Sequence, residues 1–419
     1  MLIEKHIKLL RKALGTLQRP RSGLKNQAVR LAKFFYLLLL WGLEIPGDIL
    51  FFKRRSVPAD VELPLKVLIV KTDQLGDVLF STLLVPAIKA RYPSAIIDYL
   101  VRPGSAPVLE NNPNIASVYL WNNHALEFLP GRGNRENLWQ KVGENQQIAR
   151  ILASNEYDFV INARAYPPSS NLWLRKFGRR LIAFDISEKS FLADYWAAYN
   201  LNEDESSNYA RLLQPLGIDA DSVGAPNEFF NCAAPNPMPP DCPYMVISPV
   251  SYETDRQWSA ECWYQLLTCI LERGVSVAIC GLASQRESID AITCKGCNNP
   301  DKVRVFTDLK FAEFGALMRG AHAFAGIDSF PAHLAIVLQR RSAVLVNPAA
   351  YFLKGLSKET FALEARSMLP TTPWAAFFDV RSARAEDVAT FCLTGGEEVG
   401  RTPSPGGYAS VKTTFSQFR

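Results

Sequence analysis

Three stretches and two isolated residues have the types and spacing that could do chemistry. The first is Leu75-Gly76-Asp77-Val78-Leu79, in which a carboxylate stands between an apolar run and a helix-like spacing. A carboxylate on such a loop can take a proton from a group within hydrogen-bond reach; an Asp at this position also caps a helix. The second is Gly326-Ile327-Asp328-Ser329-Phe330-Pro331-Ala332-His333. Ser329 can cap and Pro331 suits an early helical position, so a helix begins here. Free backbone N–H groups at such a start favour a phosphate. Asp328 either meets a ligand or fixes the loop, and His333 either binds phosphate or packs inward. The third is the hydroxyl-rich loop that follows Tyr244–Ile247, with Ser251, Tyr252, Arg256 and Trp258. Arg256 is a permanent cation suited to bidentate phosphate contact. Two isolated residues complete the set. Arg164 ends an apolar run, where a ligand anion would be met or where it is a surface charge. Glu287, after Gly281, can reach a ribose hydroxyl or lie on a helix surface.

The elements that must hold these residues alternate. Val67 to Val70 is continuous apolar sequence, the mark of a strand buried on both faces in a parallel sheet. Further strands are predicted at Ile96–Val101, Val118–Trp121, Tyr157–Asn162, Leu181–Phe184, Tyr244–Ile247, Val275–Cys280, Val303–Phe306, Ala323–Ile327 and Ser342–Val346. Helices are predicted after the Gly76-Asp77 loop and at Gln146–Leu152, Tyr209–Leu216, Ala260–Glu272, Ser284–Ile292, Phe311–Met318, Glu359–Arg366 and Ala385–Leu393. Leu181–Phe184 is followed by what reads as an aromatic and acidic loop. Alternation of this kind is α/β architecture, and open α/β sheets bind ligands outside the carboxyl ends of their strands. Five prolines between Asn231 and Pro243 exclude helix and central strand there, which marks a hinge. The expected organisation is a leader over 1–56, a domain over 65–230, a hinge over 231–243, a second domain over 244–393 and a disordered tail over 394–419.

The three motifs LGDVL, DRQW and DSFPAH, in that order and each in a strand-loop-helix context, resemble glycosyltransferase family 9, the lipopolysaccharide heptosyltransferase family. The likeness runs from about Leu65 to Ala350. It implies a GT-B fold, two Rossmann-like domains facing across a cleft, with inverting sugar transfer and no metal. By the same resemblance Asp77 is the catalytic base, with Gly76 and Arg164 on the acceptor side. Arg256, Ser251, Tyr252, Asp328, Ser329, His333 and Glu287 then line the donor side. The co-substrate implied is a nucleotide diphosphate sugar, ADP-heptose, and the acceptor a lipid-linked cell-surface glycan such as lipopolysaccharide core. The end of such a chain is expected to pack back toward the first domain. Two positions depart from the family: Arg256 stands where Lys is usual, and Phe330 where Gly is usual. Two other readings of this fold stay open, a non-catalytic nucleotide-sugar or glycan-binding protein and a nucleotide-sugar epimerase.

Charge is unevenly spread. Residues 1–55 carry twelve Lys/Arg against Glu4, Glu44 and Asp48, a net +9, which leaves −4 for the remainder of a chain whose total is +5. Met1 to Leu17 reads as a basic amphipathic helix. Phe34 to Leu43 is a charge-free apolar run of ten residues, against the roughly 20 needed to cross a bilayer. The leader therefore reads as an in-plane anchor on an anionic membrane, or else as a helix packed on the body. The expected location is cytoplasmic, peripheral on the inner face of the cytoplasmic membrane. Nothing in the body resembles a nucleic-acid stripe. All eight cysteines lie from Cys232 onward and read as reduced thiols, and the Cys294-x-x-Cys297 pair lacks the second ligand pair of a structural zinc site.

Overall fold

The computed structural model describes residues 64–110, 112–122, 138–164, 171–185, 193–200, 205–219, 234–239, 242–250, 257–293, 300–347 and 374–394. The leader, the Cys294/Cys297 pair, the helix expected at Glu359–Arg366 and the tail beyond Thr394 lie outside them.

The first half runs β1 (Lys66–Lys71), α1 (Leu75–Ser81), α2 (Leu84–Arg91), β2 (Ile96–Val101), β3 (Ser117–Leu120), α3 (Leu138–Ser154), β4 (Tyr157–Asn162), α4 (Asn171–Leu174), β5 (Gly178–Asp185), β6 (Tyr195–Ala198) and α5 (Glu205–Arg211). The second runs β7 (Tyr244–Ser248), α6 (Ala260–Glu272), β8 (Ser276–Cys280), α7 (Arg286–Thr293), β9 (Val303–Phe306), α8 (Phe311–Gly320), β10 (Ala323–Ile327), α9 (Phe330–Val337), β11 (Arg341–Val346), β12 (Ala375–Asp379) and α10 (Ala385–Thr394). Each half forms a six-stranded sheet, in the orders β3-β2-β1-β4-β5-β6 and β12-β11-β10-β7-β8-β9, and every strand pair is parallel. Counted within its own half, each sheet has the 3-2-1-4-5-6 order of Rossmann folds. The central strands β1, β4, β7 and β10 are buried along nearly their whole length. That is why they read as continuous apolar runs.

The order reverses between β1 and β4 in one sheet and between β7 and β10 in the other. These switch points are where such sheets bind ligands. Asp77 and Arg164 follow the first pair of strands; Pro249 and Asp328 follow the second. One apolar core joins the halves. It runs from Ile69, Val78 and Phe80 on β1 and α1 to Ala332, Leu334 and Phe324 on α9 and β10. Burying a Phe or Leu side chain contributes about 1.5–3 kcal/mol, so this shared layer holds the two loops in one place. Two further clusters back the outer faces of the sheets.

Four expectations need correction. The helix after Asp77 is two helices. Ser81 and Thr82 turn their hydroxyls back onto the carbonyls of Val78 and Leu79, at 2.7 and 2.6 Å, and Pro86 has no N–H to continue the ladder. The aromatic loop expected after Phe184 contains β6. Its partly exposed Tyr195-Trp196-Ala197-Ala198 is an edge strand set by pairing with β5 and by Asp194 Oδ2, which accepts from the Leu181 N–H at 2.8 Å. β12 was not expected either; its residues are all half-buried, without alternation. Lastly, α10 does not return to the first half. It packs on the second sheet, where Cys392 Sγ donates to the Phe324 carbonyl at 3.4 Å and Glu386 lies 3.7 Å from Arg273 of α6. Among the described residues no helix is long and apolar enough to cross a membrane.

Candidate active site

The first switch point is built around a buried lysine. Lys71, last residue of β1, is 3% exposed. Its Nζ lies 3.0 Å from Asp73 Oδ2 and 3.9 Å from Asp77 Oδ1, and 5.1 Å over the ring of Tyr209 on α5. Burial works against the ammonium, but the carboxylates of Asp73, Asp77 and Glu205 outweigh it and hold the Lys71 pKa above its ordinary value. Asp73 is half-buried, its side chain 23% exposed; desolvation works against its charge, but Lys71 and Arg164 prevail and hold its carboxyl below the usual range. Arg164 Nε donates to Asp73 Oδ1 at 3.1 Å. Ser105 Oγ donates to the Asp73 carbonyl at 2.9 Å, so the loop is tied on two sides.

Asp77 occupies the third position of α1. Its Oδ2 accepts the Gln74 N–H at 3.3 Å, so the capping role is real, while the side chain keeps 27% exposure. The capping bond fixes a rotamer and leaves Oδ1 for other partners. Glu205 opens α5, buried, and accepts a short hydrogen bond from the Tyr199 hydroxyl. Burial raises the Glu205 pKa, Lys71 pulls it back, and Asp77 adds to the rise.

The second switch point faces this one. α9 packs against α1. Gly76 meets His333 so closely that an added Cβ would fall 1.8 Å from His333 Nδ1. The Phe80 and His333 rings lie 5.1 Å apart, and His333 Nε2 lies 3.2 Å from Asp328 Oδ1. Among the described residues Nδ1 has no hydrogen-bond partner. Ser329 sends its hydroxyl back to the Ile327 carbonyl at 2.9 Å, so no side chain caps α9. The first turn of α9 thus combines an uncapped positive dipole end with Asp328 and His333. Phe330 turns away toward α8, its ring stacked on Phe311 at 5.2 Å and 6.3 Å from Phe314.

The structure thus brings together Gly76, Asp77, Arg164, Asp328, Ser329 and His333 around two facing loops. Glu287 stands apart, exposed in the first turn of α7. Ser251, Tyr252 and Arg256 lie outside the described residues. Lys71, Asp73 and Glu205 were missed. For Lys71 a signal existed, since a lysine ending a strand buried on both faces must be paired. Glu205 sits in the acidic run Glu203-Asp204-Glu205, which reads as a solvated surface; only the fold brings it to Lys71.

Residues 146–348 match glycosyltransferase family 9 (heptosyltransferase). The chain is 27% identical to lipopolysaccharide heptosyltransferase 3 of Escherichia coli strain K12 over 293 residues, 63% of this chain and 77% of that protein. It is 25% identical to lipopolysaccharide heptosyltransferase 1 of Pseudomonas aeruginosa over 304 residues, 68% and 79% of the two chains. Its fold is similar to that of an E. coli heptosyltransferase solved with ADP, with a TM-score of 0.60 at 16% identity, over 78% of this chain and 96% of that one.

Proposed function

Because the chain belongs to glycosyltransferase family 9 and is a glycosyltransferase, we propose that it moves a heptose-like sugar, with inversion and without a metal, from ADP-heptose to a lipid-linked surface glycan of the lipopolysaccharide core type. The observation that carries this reading is the contact of α1 with α9, which sets the Asp77 loop of one sheet against the open helix start of the other. Asp77 takes the acceptor hydroxyl proton as that oxygen attacks the anomeric carbon. The bond to the diphosphate breaks on the opposite face. The charge left on the diphosphate is met by the N-terminus of α9 and by Arg256, with Ser251 and Tyr252 beside it. His333 and Asp328 order that helix start. Arg164 serves the acceptor side through its hold on Asp73, and Glu287 is the ribose candidate. The relatives named above are lipopolysaccharide heptosyltransferases, and an E. coli enzyme of similar fold was solved with ADP-2-deoxy-2-fluoro heptose; both support the choice of donor and acceptor. We further propose that the leader, with its net +9, seats the enzyme on the anionic inner leaflet where such an acceptor lies.

The test is nucleotide release from a panel of nucleotide sugars, with the lipid acceptor presented in anionic vesicles and with chelator added. ADP release from ADP-heptose that requires the acceptor and ignores chelator is the expected result, with the full chain co-sedimenting with the vesicles. Turnover of a different donor only, strict dependence on a divalent metal, or a chain that stays in the supernatant would each remove the corresponding part of the proposal.

A further inference from the structure

The loop that delivers Asp77 is short: Thr72-Asp73-Gln74, between the end of β1 and the start of α1. Its middle residue is tied from three sides. Asp73 Oδ2 pairs with Lys71 Nζ of β1 at 3.0 Å. Asp73 Oδ1 accepts from Arg164 Nε, after β4, at 3.1 Å. The Asp73 backbone carbonyl accepts at 2.9 Å from the hydroxyl of Ser105, in the 3₁₀ turn Pro103–Leu109 that follows β2. β2, β1 and β4 are neighbours in the sheet, so three adjacent strand ends hold one residue. The other end of α1 is held too, where the Tyr99 hydroxyl of β2 donates to the Ser81 carbonyl at 3.0 Å. Asp77 stands on a helix pinned at both ends.

The distances around Lys71 add to this. Its ammonium is 3.0 Å from Asp73 and 3.9 Å from Asp77 Oδ1. The first is a charge-assisted hydrogen bond; the second is beyond bonding distance. Asp73 therefore engages the ammonium, and Asp77 Oδ1 stays clear of it. Asp77 Oδ2 is meanwhile held by the Gln74 N–H. We propose that Asp73 is a positioning residue for Asp77: it clamps the loop between β1, β2 and β4, and it keeps Lys71 off the oxygen that meets the acceptor. This rests on the reading of Asp77 as the base. Asp73 itself exchanges no proton with substrate; it acts only through where it puts the start of α1.

The experiment compares the full chain with Asp73→Ala, Asp73→Asn and Ser105→Ala, each also combined with Asp77→Asn. It measures kcat, ADP affinity by calorimetry and amide hydrogen exchange, all well below the thermal midpoints. A misplacement of about 1 Å costs on the order of 10²-fold in rate. Asp73→Ala should lose about that much in kcat while ADP affinity stays near wild type. Asp73→Asn keeps an oxygen for one of the two cations, and Ser105→Ala leaves both ion pairs, so each should lose about tenfold or less. With Asp77→Asn already present, none of the three should lower the residual rate further, since no base is left to position. The Gln74 amide, which donates to Asp77, should exchange faster in Asp73→Ala and less so in Asp73→Asn. The Asn122 amide, held by Asn145 Oδ1 at the edge of the same sheet, should not change. Wild-type kcat in Asp73→Ala overturns the proposal, as does a loss repeated in full beside Asp77→Asn. So does exchange that rises at Asn122 as much as at Gln74, the mark of a merely structural role. If Asp73→Ala does not fold, Asp73→Asn and Ser105→Ala carry the same readouts. Faster exchange at Gln74 in a chain that transfers no sugar would keep Asp73 as the holder of Asp77 and remove the transferase reading. Undiminished transfer by Asp73→Ala with unchanged exchange would do the reverse.

Discussion

At the carboxyl end of the first sheet, charge resides on side chains: Lys71 and Glu205, both buried, and Asp73, Asp77 and Arg164, which are half-buried. At the carboxyl end of the second sheet, among the described residues, it resides on the backbone of a helix start, with Asp328 and His333 as its side-chain partners. Strand order is the same in both. One scaffold thus presents two kinds of electrostatics, and each suits a different half of a group transfer. Titratable side chains can gain and lose a proton, which a base requires. Backbone N–H groups do not titrate, so they hold an anion at constant strength whatever the pH. The function is not in the fold, which is duplicated, but in what each switch point was given.

The most direct way to break this contrast is Asp77→Asn. It keeps the shape of α1 and removes the titrating group from the first edge. We expect transfer to fall by about 10²–10⁴-fold while donor affinity, measured by calorimetry, stays near wild type. Full turnover by Asp77→Asn would mean that the first edge does not handle the proton.

Gly76→Ala tests whether the two edges must touch. The new Cβ would fall 1.8 Å from Nδ1 and 2.6 Å from Cε1 of His333, a ring already held by Asp328 and Phe80. Either the ring leaves Asp328 or the halves separate. A misplacement of about 1 Å costs on the order of 10²-fold in rate, and this is the loss we expect, with the thermal midpoint little changed. The cycle with His333→Ala should show strong coupling, since the single change at 76 matters only while the ring is there. Additive effects in the double variant would show that Gly76 acts through something other than this contact.

How far the sequence disclosed these edges follows from the same physics. Strands buried on both faces appear as unbroken apolar runs, so Val67–Val70 and Ala323–Ile327 are legible, and the motifs at their ends locate Asp77 and Asp328. Two edge strands, β3 and β9, are legible as Val118–Trp121 and Val303–Phe306, but β6 and β12 are not: most of their residues are only partly buried or exposed, and pairing with a neighbour's free N–H and C=O groups sets them. The break between α1 and α2 lies in the hydroxyls of Ser81 and Thr82, which an apolar spacing overlooks. The charge influence of Glu205 on Lys71 could not be read, since one residue begins a helix, the other ends a strand, and nothing local in either stretch points to the other.

The smallest expected effect sharpens the contrast within the first half itself. Asp73, at the carboxyl edge, has Lys71 and Arg164 as partners and its carboxyl lies below the usual range. Asp98 is buried inside β2; Lys66 of β1 favours its charge but forms no ion pair with it among the described residues. Asp98 Oδ2 accepts from the Tyr157 hydroxyl at 2.6 Å, and Asn155 donates to that same hydroxyl at 2.9 Å. Among the described residues Oδ1 has no hydrogen-bond partner; Ser117 and Lys66 add smaller contributions that favour the charge. Burial raises the Asp98 pKa, and the Tyr157 bond only partly offsets it. A carboxyl raised in the folded state favours folding when protonated, below its unfolded value near 3.8, and that contribution is lost as pH rises through the folded value. At neutral pH the ionised Asp98 is therefore a burden. Asp98→Asn keeps an acceptor for Tyr157 and drops the charge. An uncompensated buried polar group costs about 1–3 kcal/mol, and about 1 kcal/mol moves the midpoint of a domain of this size by roughly 2–4 °C. Melting curves of both proteins from pH 7 down to pH 4 should show the variant a few degrees ahead at pH 7 and the gap closing in acid. Asp73→Asn, which strands Lys71 and Arg164, should instead melt lower at pH 7, with its deficit shrinking in acid as the wild-type carboxylate is protonated. A gap for Asp98→Asn that widens in acid would show that Asp98 is held as an anion, like Asp73, and would erase the distinction between a carboxylate kept for its charge and one merely accommodated.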